Sequence, residues 1–154
     1  MIKKFYLAVT AWLVLLTSVC LAYSDTEGHW AEKNIDSFSK IGILNGYEDG
    51  SFKPDDCMTR AELITVVNRI LKNQAESTKF IPDNNSKEWY YSEIRKAVAS
   101  SVVQGDPDGS VRPDELITRE EAVILLYRAF MGEEAGNVKI NAYDDAKNIS
   151  EWAY

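Results

Sequence analysis

GYEDGSFKPDDCMTRAE, running from Gly46 to Glu62, returns as GDPDGSVRPDELITREE, from Gly105 to Glu121. Each copy passes from a glycine through Asp-Gly-Ser and Pro-Asp to Thr-Arg-x-Glu, and an offset of 59 residues superimposes them without a gap. Asp-Gly and Pro are turn formers, because glycine reaches the left-handed backbone region at little cost and proline fixes φ. Asp49-Gly50 and Asp108-Gly109 are therefore turn residues first of all. Thr59-Arg60-Ala61-Glu62 and Thr118-Arg119-Glu120-Glu121 then read as helix starts. In a capping box the N-cap Thr accepts from the amide three residues on, and the Glu there bonds back to the Thr amide. Thr59, Glu62, Thr118 and Glu121 thus have a structural explanation, with Met58 and Leu63, and more weakly Ile117 and Ala122, as hydrophobic staples.

The arginine between them has none. A cation in the first helical turn faces the positive end of the helix dipole, a misplacement of about 0.3–1 kcal/mol. Its occurrence in both copies asks for a use. One use is an anion, since amides at a helix start point toward negative charge and a guanidinium beside them holds a carboxylate through two parallel bonds. The other is a pairing of Arg60 and Arg119 with nearby acids such as Asp55 or Asp114, a contact seldom worth more than about 1 kcal/mol on a surface.

Working outward, the same offset places Trp30 on Trp89, Ile35 on Ile94 and Arg69 on Arg128. The chain is one supersecondary unit used twice, over residues 23–72 and 80–131. Each copy reads as helix, loop, helix. Ala31, Ile35 and Phe38 form one apolar stripe that Gly42 closes, and Leu63 to Leu71 is apolar over most of its circumference, which requires central burial. Residues 140–154 read as the opening of a third copy, with Ile140, Ile149, Tyr143-Asp144-Asp145 and Trp152, the last four repeating Tyr23-Ser24-Asp25 and Trp30. About three such units are needed to close a core, so the helices 60–71 and 119–130 are expected to keep exposed apolar faces that favour self-association.

Residues 1–22 carry Lys3 and Lys4, an apolar run from Phe5 to Val19 and small residues ending at Ala22, the layout of a secretory signal peptide. A retained membrane anchor is the alternative, and processing as a lipoprotein at Cys20 a weaker one, since Val19 stands where a small residue is usual. Without that segment the formal net charge moves from −7 to −9 and Cys57 is the one cysteine left, so the exported chain is acidic and has no internal disulfide. Acidity excludes nucleic acid as a general partner, because non-specific binding runs on excess Lys and Arg.

The order aromatic-x-Asp (Tyr23, Asp25), His29-Trp30-Ala31, Gly46-Tyr47-Glu48-Asp49-Gly50-Ser51-Phe52-Lys53-Pro54 and Thr59-Arg60-Ala61-Glu62 closely resembles the S-layer homology repeat, and the resemblance covers nearly all of the chain after residue 22. It implies a mainly α fold of tandem helix-loop-helix repeats, part of a pseudo-threefold prism with a central helical bundle. It also implies non-covalent anchoring of an exported protein to the bacterial cell wall or S-layer. The partner implied is a secondary cell-wall polysaccharide, typically with a pyruvylated sugar, held in grooves between repeats. Carried over, the arginine that meets the pyruvyl carboxylate is Arg60, and Arg119 in the second copy, with Gly46, Asp49, Gly50, Asp108 and Gly109 of the loops and Trp30 and Trp89 as further ligand-binding candidates. The second copy departs from the pattern where Ala61, Tyr47 and Phe52 become Glu120, Asp106 and Val111. An extra carboxylate beside Arg119 weakens anion binding, so the Arg60 site is expected to dominate. An acidic helical-repeat module binding another envelope protein is the alternative function.

Trp30 and Trp89 could stack on a sugar face, but a tryptophan opening an amphipathic helix is more often a packing anchor, and packing is the expectation for both. His29 reads as a surface residue and Cys57, aligned with Leu116, as a half-buried inert thiol. A calcium loop is rejected: with Gly109 at the sixth place, Gln104 stands where the first carboxylate is wanted, so no metal or cofactor is expected. The chain contains no Ser/His/Asp or Cys/His set and no Gly-rich phosphate loop, so no enzyme is expected.

Overall fold

A computed structural model describes residues 23–131 and 146–150. The expected leader, residues 1–22, and Ile140, Tyr143, Asp144, Asp145 and Trp152 of the third copy lie outside the described residues. Among the described residues the chain forms four α-helices: α1 (Glu32–Lys40), α2 (Arg60–Leu71), α3 (Tyr91–Ala99) and α4 (Arg119–Met131). One 3-10 turn, Ala146–Asn148, follows, and among the described residues the β pairing is a single antiparallel bridge between Thr59 and Leu116. The mainly α class expected from the repeats is what the chain adopts. It divides into two compact units, Met1–Pro54 and Asp55–Tyr154.

In the first unit α1 has no side-chain N-cap; the Glu32 carboxylate instead accepts from the Gly28 amide at 2.9 Å and the His29 Nδ1 accepts from the Ala31 amide. Gly42 ends the helix at φ +74°, as its place after the apolar stripe requires. The stripe itself is shifted from the expected one. Ile35 and Ser39 are buried and Phe38 is exposed, because the Ser39 hydroxyl accepts from the buried Tyr23 phenol at 3.1 Å and turns that face inward. Tyr23 also receives the Gly46 amide at 2.9 Å and packs on Phe52.

In the second unit α2 packs against both α3 and α4. Its inward residues, Ala61, Ile64, Val67 and Asn68, recur at helical spacing, and the first three join Ile94, Ala97, Val102, Val103, Val111 and Leu125 in one core. The buried Asn68 is satisfied: its amide donates to the Glu93 carbonyl at 2.8 Å and to the Glu93 carboxylate, while its oxygen accepts from Asn73. The expectation that α2 is central holds, with only Ile70 of its large apolar residues exposed. On α4, Leu125 is buried while Val123, Leu126, Phe130 and Met131 are exposed.

Candidate functional site

The repeated turns are built by carboxylates. Asp49 accepts from the Ser51 amide at 2.9 Å and its hydroxyl at 2.6 Å, and Asp108 does the same for Ser110 at 2.9 and 2.7 Å. Those serine bonds hold both carboxyls below the usual aspartate range. Gly50 and Gly109 take φ of +83° and +86°, where a side chain would be strained. Gly46 is required for space: a Cβ there would run into the Tyr23 ring and the Ser51 carbonyl. Gly46, Asp49, Gly50, Asp108 and Gly109 thus shape the loops.

A second carboxylate pins each loop from a distance. Asp25 accepts from the Phe52 and Lys53 amides at 2.8 and 2.7 Å. Asp83 accepts from the Val111 amide at 3.0 Å and the Arg112 amide at 2.6 Å. Both clamps hold a non-glycine residue at positive φ, Lys53 at 56° and Arg112 at 53°. Sequence reasoning missed Asp83 because it stands 58 residues after Asp25, one short of the offset that aligns everything from Trp30 onward. The signal was present in Ile81-Pro82-Asp83, an apolar-x-Asp match to Tyr23-Ser24-Asp25.

Both capping boxes form. Thr59 Oγ1 accepts from the Glu62 amide and Glu62 accepts from the Thr59 amide at 2.7 Å, with the Thr118 and Glu121 pair equivalent at 3.3 and 2.9 Å. The start of α2 is nevertheless closed to an anion. Its Arg60 and Ala61 amides donate to the carbonyls of Glu115 and Pro113, each at 2.9 Å. The Arg60 guanidinium is 12 % exposed, donates through Nε to the Val111 carbonyl at 2.7 Å, and pairs through Nη1 with Glu121 Oε1 at 2.8 Å. For Arg60 the pairing alternative therefore holds, with Glu121 as the partner in place of Asp55 or Asp114; Asp114 accepts from the buried Tyr90 phenol instead. Burial and that carboxylate push the Tyr90 phenol up.

Glu121 also receives Arg112 Nη2 at 3.1 Å, and Arg112 is held in turn by Asp106 at 2.7 Å and Glu115 at 3.0 Å. Burial alone would raise the Glu121 carboxyl; the Thr118 amide, Arg60 and Arg112 outweigh it and hold the group below the usual range.

Arg119, at the start of α4, is exposed and its side chain makes no hydrogen bond or ion pair among the described residues. The Glu120 carboxylate expected to compete for it is bonded to the Ser150 amide at 3.2 Å and hydroxyl at 2.9 Å. The geometry thus supports Arg119, not Arg60, as the available cation.

Both tryptophans depart from the packing expectation. Trp30 is 84 % exposed beside His29, and Trp89 is 62 % exposed, edge-on to Tyr90, which takes the buried place itself. Cys57 is exposed, not half-buried, since its loop contributes no side chain to the core. Among the described residues no cluster of His, Cys, Asp or Glu is arranged to hold a metal ion, and no helix is long and apolar enough to cross a membrane.

Paired turns, capped helix starts and open arginine and tryptophan faces define a tandem helical-repeat module. The family model for the S-layer homology domain matches residues 22–64 and 82–123, more than half of the chain, and the chain belongs to that family. It is 37 % identical over 145 residues to cell surface glycoprotein 1 of Acetivibrio thermocellus, covering 86 % of this chain and 6 % of that protein. It is 31 % identical over 135 residues to the cellulosome-anchoring protein of the same organism, covering 83 % of this chain and 29 % of that protein. An amylopullulanase of Thermoanaerobacterium thermosulfurigenes matches at 30 % over 136 residues, 85 % of this chain but 7 % of the enzyme. The chain thus spans under a third of each of these proteins, and what it shares with the enzyme is a small part of it.

Proposed function

We propose that this chain is a non-catalytic anchoring module that binds a carboxylate-bearing polymer of the bacterial cell envelope, a pyruvylated secondary cell-wall polysaccharide, after export directed by residues 1–22. Family membership and the cell-surface names of its relatives support anchoring. The observation that carries the ligand class is Arg119, an exposed guanidinium at a helix start with no partner among the described residues. An acidic chain has little general attraction for a polyanion, so binding must come from discrete cations such as this one. Trp30 and Trp89 each offer an exposed ring face suited to a sugar. A second reading, docking to another envelope protein, is favoured by the exposed Val123, Leu126, Phe130 and Met131 on α4. Retention on purified wall polymer, native and stripped of pyruvyl groups, tests the proposal. Retention is expected on the native polymer only, and lost in Arg119→Glu. Equal retention on both polymers refutes carboxylate recognition.

A further inference from the structure

Arg60 and Arg119 hold the same place in two copies of one motif, yet their surroundings are opposite. The Arg60 guanidinium is enclosed and spans two acceptors, the Val111 carbonyl and Glu121. Glu121 divides its oxygens: Oε2 accepts from the Thr118 amide and hydroxyl at 2.9 and 3.0 Å, while Oε1 takes Arg60 and Arg112. The backbone adds a parallel tie. Arg60 and Ala61 donate to the carbonyls of Glu115 and Pro113, and the Ile117 amide donates to the Met58 carbonyl at 3.0 Å. Everything immediately before Arg119 is therefore fastened to the start of α2.

We propose that Arg60 is a positioning residue and not a ligand-binding one: together with Arg112 it clamps Glu121, and through that carboxylate it fixes the start of α4 that presents Arg119 to the polymer. The inference rests on the reading of Arg119 as the cation that meets the ligand. It assigns the two copies of one motif different tasks, strut and hook. Lysine cannot replace the strut, because an ammonium is a point charge without the planar fork that reaches the Val111 carbonyl and Glu121 together. The charged groups facing Glu121 are Arg60 and Arg112, the latter carrying Asp106 and Glu115 behind it.

Two measurements on the purified protein decide it. The first is retention on pyruvylated wall polymer across a salt series. Arg119→Met should flatten the salt dependence, because a cation that contacts a polyanion contributes to it. Arg60→Met and Arg60→Lys should each weaken retention about tenfold, the worth of one charge-assisted bond, with the wild-type salt dependence intact. In a Glu121→Gln background Arg60→Met should have no further effect. The second measurement needs no polymer: the Glu121 carboxyl, followed by carbon NMR, should titrate higher in Arg60→Met than in the wild type, with the milder Arg60→Lys in between. Flattening by Arg60→Met to the extent seen for Arg119→Met, or full additivity with Glu121→Gln, overturns the proposal. An unmoved Glu121 titration overturns the clamp itself. Failure of the wild type to bind the polymer would instead refute the ligand reading and with it the hook, while the titration still decides the strut.

Discussion

Replacing Asp83 by alanine tests whether the loops are held by the distant carboxylate or merely decorated by it. Both oxygens of Asp83 accept from the Val111 amide at 3.0 Å, and one takes the Arg112 amide at 2.6 Å. Val111 is 1 % exposed, so water cannot replace the lost acceptor there, and an unsatisfied buried amide costs about 1–3 kcal/mol. Arg112 sits at φ 53°, and its amide loses the bond that holds it there, worth about 1 kcal/mol. With the Val111 amide the sum is about 3 kcal/mol. For a unit of this size that lowers Tm by roughly 10–20 °C. Thermal unfolding followed by circular dichroism measures it, with Asp83→Asn, which keeps one acceptor oxygen, expected to lose about half as much. Asp25→Ala provides the internal comparison: Phe52 is only half-buried, the freed amides meet water, and a smaller drop is expected. An Asp83→Ala protein within about 0.5 kcal/mol of wild type, the range of an ordinary surface substitution, refutes the reasoning.

Gly46→Ala should destabilise the first unit by about 1–3 kcal/mol, since its methyl meets the Tyr23 ring and the Ser51 carbonyl; unchanged urea unfolding would show that the loop yields freely. Trp89→Ala should alter stability by less than about 0.5 kcal/mol because the ring is exposed, while retention on wall polymer falls; a large stability loss would return the residue to a packing role. Acid should weaken the fold. Asp25, Asp49, Asp108 and Glu121 are all held below their ordinary values, so their contribution is fully present above those values and is lost as pH falls through the lowered ones. Tm should therefore decline below about pH 4, and a Tm flat from neutrality to pH 2.5 would contradict the assignment.

What could be read from the sequence was what is local. The capping boxes at Thr59 and Thr118 and the Asp-Gly-Ser turns follow from residues within four positions of one another, and both formed as read. The central burial of α2 was equally plain from its apolar circumference. The partners of long side chains were not legible. Arg60 meets Glu121, a residue assigned wholly to its own cap, because a carboxylate has two oxygens and the box uses one. Trp89 lost its expected buried place to the adjacent Tyr90, whose phenol finds Asp114, and periodicity alone does not tell neighbouring aromatics apart. The division at Pro54 and Asp55 shows a further gap: the sequence repeats as helix-loop-helix, whereas α2 packs with the helices of the following copy.

That the α2 amides are received by the carbonyls of Glu115 and Pro113 gives the chain a direction in time. A ribosome delivers residues 60 and 61 first and their acceptors some fifty residues later, which at about 5–20 residues per second is an interval of roughly 3–10 s. Throughout it the Arg60 and Ala61 amides are met only by water, while the local capping box of Thr59 and Glu62 is already in hand. The first copy of the motif is thus completed by the second, and its helix start can close only once that copy has been made.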